Sequence, residues 1–137
     1  MYNSGTRRPV GRLQETGRGM KLSDILRVID GQVLTRGVDL GRDVQGVCAA
    51  DLMSDVLAYS ISNAILLTGL TTPQVVRTAE MADVAAVVFV RGKQPPRETI
   101  DLANAEQIPL ISSPYGMFEM SGRLHQAGLP SCEACLS

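Results

Sequence analysis

The sequence predicts an α/β fold: a three-layer sandwich with a mostly parallel sheet covered by helices. Two observations carry that prediction. Three times an apolar run leads through a short polar loop to a proline and then into a helical pattern: residues 64–68 lead to Pro73, 86–90 to Pro96 and 109–112 to Pro114. The runs are also continuously apolar rather than alternating, which implies burial on both faces and hence a parallel sheet between helices. Strands joined through helices of this length require right-handed crossovers, and covering both sheet faces gives a layered sandwich.

The elements follow in order. Residues 1–19, rich in Gly, Arg, Ser and Thr, show no periodicity and read as a disordered N-terminal tail. Leu22, Ile25, Leu26 and Ile29 then fall at i, i+3, i+4, i+7, one apolar face of a short helix that Gly31 stops. Residues 33–35 read as a short strand, Gly37, Gly41 and Gly46 interrupt the connection, and residues 47–49 read as a second strand. Asp51 is a natural N-cap for a helix that carries Leu52, Val56 and Tyr59 on one face. The three strand–loop–proline–helix units come next. Proline suits the first helical position, where its missing N–H has no partner in any case, and Thr72 and Ser113 precede theirs as caps. Gly128 ends the last helix. The folded domain spans 20–129, followed by a C-terminal tail, 130–137, that holds a CxxC motif.

Composition narrows the function classes. Thirteen Lys and Arg nearly cancel fourteen Asp and Glu, so the chain has no general electrostatic pull on nucleic acid or anionic lipid. The basic cluster of Arg7, Arg8, Arg12, Arg18 and Lys21 lacks apolar periodicity and reads as a solvated tail. The chain has no Trp and only 4% aromatic residues, which leaves no platform for stacking single-stranded bases. No apolar run reaches membrane-spanning length. The N-terminal charges precede no hydrophobic segment, unlike a secretory signal. Three cysteines argue against a disulfide framework and for a reducing, cytoplasmic setting.

In a parallel sheet, the loops that follow the strands gather at one edge, where ligands bind at a topological switch point. Here that edge collects Thr68, Gly69, Thr71 and Thr72 after one strand, Arg91, Gly92 and Lys93 after the next, and Ser112 and Ser113 at the third. Helix N-termini, two cations and several hydroxyls together suit a phosphate, a carboxylate or a small nucleotide. The same residues also serve an α/β fold without any ligand, as caps and solvated loops. No G-x-G-x-x-G or G-x-x-x-x-G-K-[ST] is present, which excludes a dinucleotide dehydrogenase and a P-loop kinase. No cofactor is expected.

Catalytic motifs are thin. His125 is the single histidine, in the second half of the last helix, and no G-x-S-x-G elbow exists. Asp51, Ser54 and Asp55 are better read as the cap and acidic first turn of a helix than as an acid–base pair. Cys132 and Cys135 form the C-x-x-C. They supply two ligands where zinc needs four, and Cys48 and His125 complete a set only if the fold brings them there. A solvated tail is the default, with a metal or redox role as the alternative.

The blocks MKLSDIL at 20–26, ADLMSDVLA at 50–58, LTGLTTPQVVRTA at 67–79, IPLISS at 108–113 and MFEMSGRL at 117–124 together resemble the DRTGG-domain family across nearly the whole folded part. The resemblance implies a regulatory or accessory α/β domain. Such domains occur attached to phosphotransacetylases and to nucleotide-regulated pyrophosphatases, where they help dimerise. They also occur as stand-alone chains, described by distant similarity to the N-terminal domain of HPr kinase. The resemblance carries over no catalytic residue. The motif that names the family is absent, and Arg91-Gly92-Lys93 stands where relatives tend to have Thr-Gly-Gly.

The expectation is therefore a non-catalytic regulatory domain that forms a homodimer and senses a small anionic metabolite or nucleotide at the strand-end edge. Alternatives are a structural or protein-interaction subunit without a small ligand and, further off, a phosphotransfer-type enzyme.

Overall fold

The computed structural model describes residues 19–132. The expected tail up to residue 18, and Cys135 with most of the other tail, lie outside the described residues. The elements are β1 (Met20–Lys21), α1 (Leu22–Ile29), β2 (Gln32–Val33), β3 (Asp43–Val44), β4 (Gly46–Ala49), α2 (Met53–Tyr59), β5 (Ala64–Thr68), α3 (Pro73–Ala82), β6 (Ala86–Phe89), α4 (Arg97–Glu106), β7 (Leu110–Ser112) and α5 (Met117–Gln126).

The fold is the expected α/β sandwich. Its main sheet has strand order β2-β7-β6-β5-β4, with β4 to β7 parallel and β2 antiparallel to β7. The continuous apolar runs are resolved as alternation between two cores. Ala64, Leu66, Val87, Phe89 and Leu110 face α2, α3 and α4, where they meet Met53, Val56, Val75, Val76, Ala79 and Ala103. Ile65, Leu67, Ala86, Val88 and Ile111 face the other way and meet Leu22, Ile25 and Ile29 of α1 with Met120 and Leu124 of α5. Each Leu, Ile or Phe buried in this way contributes about 1.5–3 kcal/mol relative to exposure.

Several local expectations change. β1 and β3 pair as a separate antiparallel ribbon; two residues each are too few to leave a periodic signature. Of the three prolines, only Pro73 lies in the first turn of its helix. Pro96 is the N-cap of α4, and Gly116 rather than Ser113 caps α5. Asp51 is not the cap of α2 either: Leu52 holds that position, and Asp51 turns to the next strand. At the start of the 130–137 stretch, Ser131 makes one isolated bridge to Val47 of β4. Val47 N–H donates to Pro130 O (3.0 Å), Cys132 N–H donates to Val47 O (2.9 Å), and Cys132 is buried.

Candidate functional site

The C-terminal ends of β4 to β7 share one edge, as parallel pairing requires. Strands β4, β5, β6 and β7 are neighbours in chain order, and the helices that join them, α2, α3 and α4, all cover one face. Only after β7 does the chain cross to the other face, through α5. The connections leaving β6 and β7 thus part in opposite directions, which is how an open α/β sheet makes a ligand crevice. The parting falls between the loop after Phe89 and the loop after Ser112.

At the β5 end, the edge is organised by a carboxylate. Asp51 Oδ1 accepts from the Thr68 hydroxyl (2.9 Å) and from Gly69 N–H (2.8 Å). Thr68 Oγ1 in turn accepts from Leu70 N–H (3.1 Å), and Lys93 Nζ donates to Gly69 O (2.9 Å). The Gly69 N–H bond, then the Thr68 hydroxyl bond, holds the Asp51 carboxyl below its ordinary value near 3.8; nearby Lys93 adds to this and partial burial opposes it. Sequence reasoning missed Asp51 as a site residue. The available signal was its place just after the apolar run of β4, the position from which Thr68 and Arg91 were selected on their own strands.

At the β6 end, Arg91 and Gly92 both have positive φ, 59° and 67°. The other non-glycine residues with positive φ are Asn63 and three helix C-caps, Asp30, Asp83 and Gln107. Arg91 is the one outside those settings among the described residues. Left-handed backbone costs a residue with a Cβ about 1–2 kcal/mol, and the loop is pinned against relaxing. Arg91 N–H donates to Tyr115 O (2.8 Å) and Gly92 N–H to Ser113 O (2.7 Å). The Arg91 side chain is directed toward Gly116 at the start of α5: a Cβ built on Gly116 would stand 3.7 Å from Arg91 Nε. Arg123 of the same helix stacks on the Tyr115 ring, 4.1 Å from its centroid.

The remaining sequence-selected residues divide. Ser113 is fully buried and turned inward, its hydroxyl donating to Ile29 O (2.7 Å) and accepting from Tyr115 N–H (3.3 Å). The Ser112 hydroxyl donates to Lys93 O (3.2 Å). Thr71 contributes its carbonyl to the buried Thr99 hydroxyl (2.8 Å), and Thr72 caps α3 through its backbone without a side-chain bond. Gly69 and Lys93 meet at Asp51, whereas Arg91 and Gly92 stand apart from them on the α5 side. Chemically, the edge offers an exposed guanidinium, a lysine ammonium and a deprotonated carboxylate.

Away from this edge, a cleft of about 450 Å³ lies between β4 and α5, lined among others by Val47, Phe118, Gly122, His125 and Leu129. Phe118 is 91% exposed beside it. Among the described residues, no three His, Cys, Asp or Glu side chains gather as a metal would need, and no helix is long and apolar enough to cross a membrane.

The family model of the DRTGG domain matches residues 24–127. Among solved structures, the chain is similar to the CBS and DRTGG domains of the regulatory region of Clostridium perfringens pyrophosphatase, complexed with the activator diadenosine tetraphosphate. Identity is 19% and the TM-score 0.62, over 98% of this chain and 54% of that one, so the likeness is one of fold and this chain spans about half that length. No curated protein matches the chain.

Proposed function

The chain belongs to the DRTGG-domain family, and from that premise we propose that it is a non-catalytic regulatory domain that senses a small anionic metabolite or nucleotide at the C-terminal edge of its sheet. The observation that carries the reading is the Arg91 loop. A strained left-handed arginine, held by two backbone bonds beside the parting of β6 and β7, is a preorganised cation. Strain of that kind collects where a side chain must be presented in one direction. The α5 start that Arg91 faces adds its positive dipole end. The fold relative crystallised with a nucleotide activator is itself a regulatory region, which supports the same assignment.

A non-catalytic role fits the electrostatics. The Gly69 N–H and Thr68 hydroxyl bonds push the Asp51 carboxyl at this edge downward. That is away from the range in which a carboxyl exchanges protons near neutral pH. Asp51 serves as a fixed acceptor that positions Gly69 and neighbours Lys93.

Thermal melting with a panel of nucleotides, dinucleoside polyphosphates and phosphorylated metabolites tests the reading. A ligand at a hundred times its Kd adds about 2.7 kcal/mol to the native state, which raises Tm by several degrees. Arg91→Ala should abolish the rise. If no compound moves Tm, or Arg91→Ala responds like the unaltered chain, the sensing role fails.

A second reading, a homodimerising domain, draws on Phe118. An aromatic ring exposed beside an apolar cleft on the same helix is self-complementary, so two copies related by a two-fold axis can exchange rings. Light scattering should then give twice the chain mass at micromolar concentration, and Phe118→Ser should halve it. A monomeric mass for the unaltered chain would refute pairing.

A further inference from the structure

Asp51 and Lys93 both approach Gly69 without closing on each other. Lys93 Nζ donates to Gly69 O, and among the described residues no Lys93–Asp51 ion pair forms. Asp51 Oδ1 is taken by the Thr68 hydroxyl and Gly69 N–H, while no hydrogen bond among the described residues reaches Oδ2. A Cβ built on Gly69 would stand 3.3 Å from Lys93 Nζ and 3.7 and 3.8 Å from the two Asp51 oxygens. The missing side chain therefore leaves a slot flanked by an acceptor and a donor. Asp51 and Lys93 are exposed, so the slot opens to solvent. Gly69 is not among the residues with positive φ, so its backbone does not require glycine. What glycine provides here is room for a close approach.

The two charges beside the slot oppose each other. A phosphate or carboxylate placed there meets the Asp51 anion, and an ammonium meets Lys93. A neutral hydroxyl suits both neighbours. It donates to Asp51 Oδ2 and accepts from Lys93, whose ammonium has three N–H groups and gives one to Gly69 O. Resting on the reading that an anion is sensed at Arg91, we propose that the Gly69 slot takes a ring hydroxyl of the same ligand, which makes the ligand class a sugar phosphate, free or as part of a ribonucleotide.

The edge thus divides the ligand between its two halves. Arg91 and the start of α5 take the phosphate, and the slot takes the hydroxyl. One loop serves both, since Lys93 lies two residues beyond Arg91 and reaches back to Gly69. The bonds from Gly69 N–H and the Thr68 hydroxyl keep the Asp51 carboxyl ionised and hence an acceptor. Inorganic phosphate and acyl phosphates, which lack a ring hydroxyl, engage only the Arg91 half.

The test measures calorimetric affinities of the full chain for matched probes. The common ribonucleoside 5′-monophosphates are set against their 2′,3′-dideoxy counterparts, and ribose 5-phosphate against inorganic phosphate. The hydroxyl-bearing probe is expected to bind about tenfold more tightly, the effect of one hydrogen bond to a charged group at an exposed site. A preference within the nucleotides or within the sugar pair supports the slot and tells which kind of sugar phosphate it takes. Gly69→Ala fills the slot, and Asp51→Asn puts a donor where Oδ2 stands. Each should erase the preference while leaving affinity for the hydroxyl-free probe within about twofold. Equal binding of matched probes by the unaltered chain, or a preference that survives in both variants, would overturn the slot and leave the sensing role standing. No binding by any probe also overturns it, and the melting panel then tells whether sensing at Arg91 falls with it. The comparison on the unaltered chain decides the matter even where a variant does not fold.

Discussion

Asp51 and Thr68 should be energetically coupled, and a double-mutant cycle measures by how much. Asp51→Ala removes the acceptor of two donors, the Thr68 hydroxyl and Gly69 N–H. Gly69 is only half-buried and its N–H can turn to water, but Thr68 is fully buried. A hydrogen bond to a charged group nets about 1.5–3 kcal/mol. Asp51 itself is largely exposed, so solvent screening brings the Thr68–Asp51 share down to about 1 kcal/mol. Asp51→Ala should therefore cost about 1.5–2 kcal/mol and Thr68→Val about 1–2 kcal/mol, since the latter also frees Leu70 N–H. The double variant should fall short of their sum by about 1 kcal/mol. Urea unfolding supplies all four corners.

Acidification supplies the control. The folded Asp51 carboxyl titrates below its unfolded value. Its contribution is thus fully present above the unfolded value of about 3.9 and is lost as pH falls through the folded one. The coupling should be intact at pH 7 and be lost as acidification protonates the folded carboxyl, below its ordinary value near 3.8. A cycle that closes to within about 0.3 kcal/mol at pH 7 would mean that the two residues act independently, and that the Asp51 carboxylate does not organise the β5 end.

Other outcomes follow from the same geometry. Arg91→Gly should raise stability by about 0.5–1 kcal/mol by relieving left-handed strain while removing any response to anions; a destabilised variant in denaturant melts would contradict the strained loop. Ser113→Ala should cost about 1–3 kcal/mol because Ile29 O loses its donor in a dry site, a shift that calorimetry reads directly. Gly46→Ala would place its Cβ 3.1 Å from Pro130 O; hydrogen exchange at the Cys132 amide should quicken about tenfold, the effect of weakening that pairing by about 1.4 kcal/mol. Unchanged exchange would show that the 130–132 segment yields without loss.

The architecture was legible because the sheet needs it written continuously. Ile65 and Leu67 serve one core, Ala64 and Leu66 the other, so no polar residue can interrupt β5. Elements with weaker demands left weaker marks. β1 and β3 are held together by two residue pairs, below any periodicity. The caps misled for a different reason. Ser113 and Asp51 have the chemistry of N-caps, but tertiary partners compete for their side chains: Ile29 O takes the first, Thr68 and Gly69 the second. The strand-end position of Thr68, Gly69, Arg91, Gly92 and Lys93 followed from topology alone. That the edge would divide into an Asp51–Lys93 side and an Arg91 side depended on loop geometry that spacing does not encode. The segment after residue 129 looked like a tail because Pro130 and Ser131 carry no strand signal; its place comes from the open edge of β4.

The central claim is that an anion is sensed at the strand-end edge. Backbone amide NMR shifts, followed while each nucleotide and phosphorylated metabolite of the melting panel is added in turn to the full chain, test it most directly. The expected result is saturable movement at Gly69, Gly92, Lys93 and Gly116, lost in Arg91→Ala. An unmoved spectrum, or movement confined to Val47, Gly122, His125 and Leu129 around the β4–α5 cleft, would contradict it.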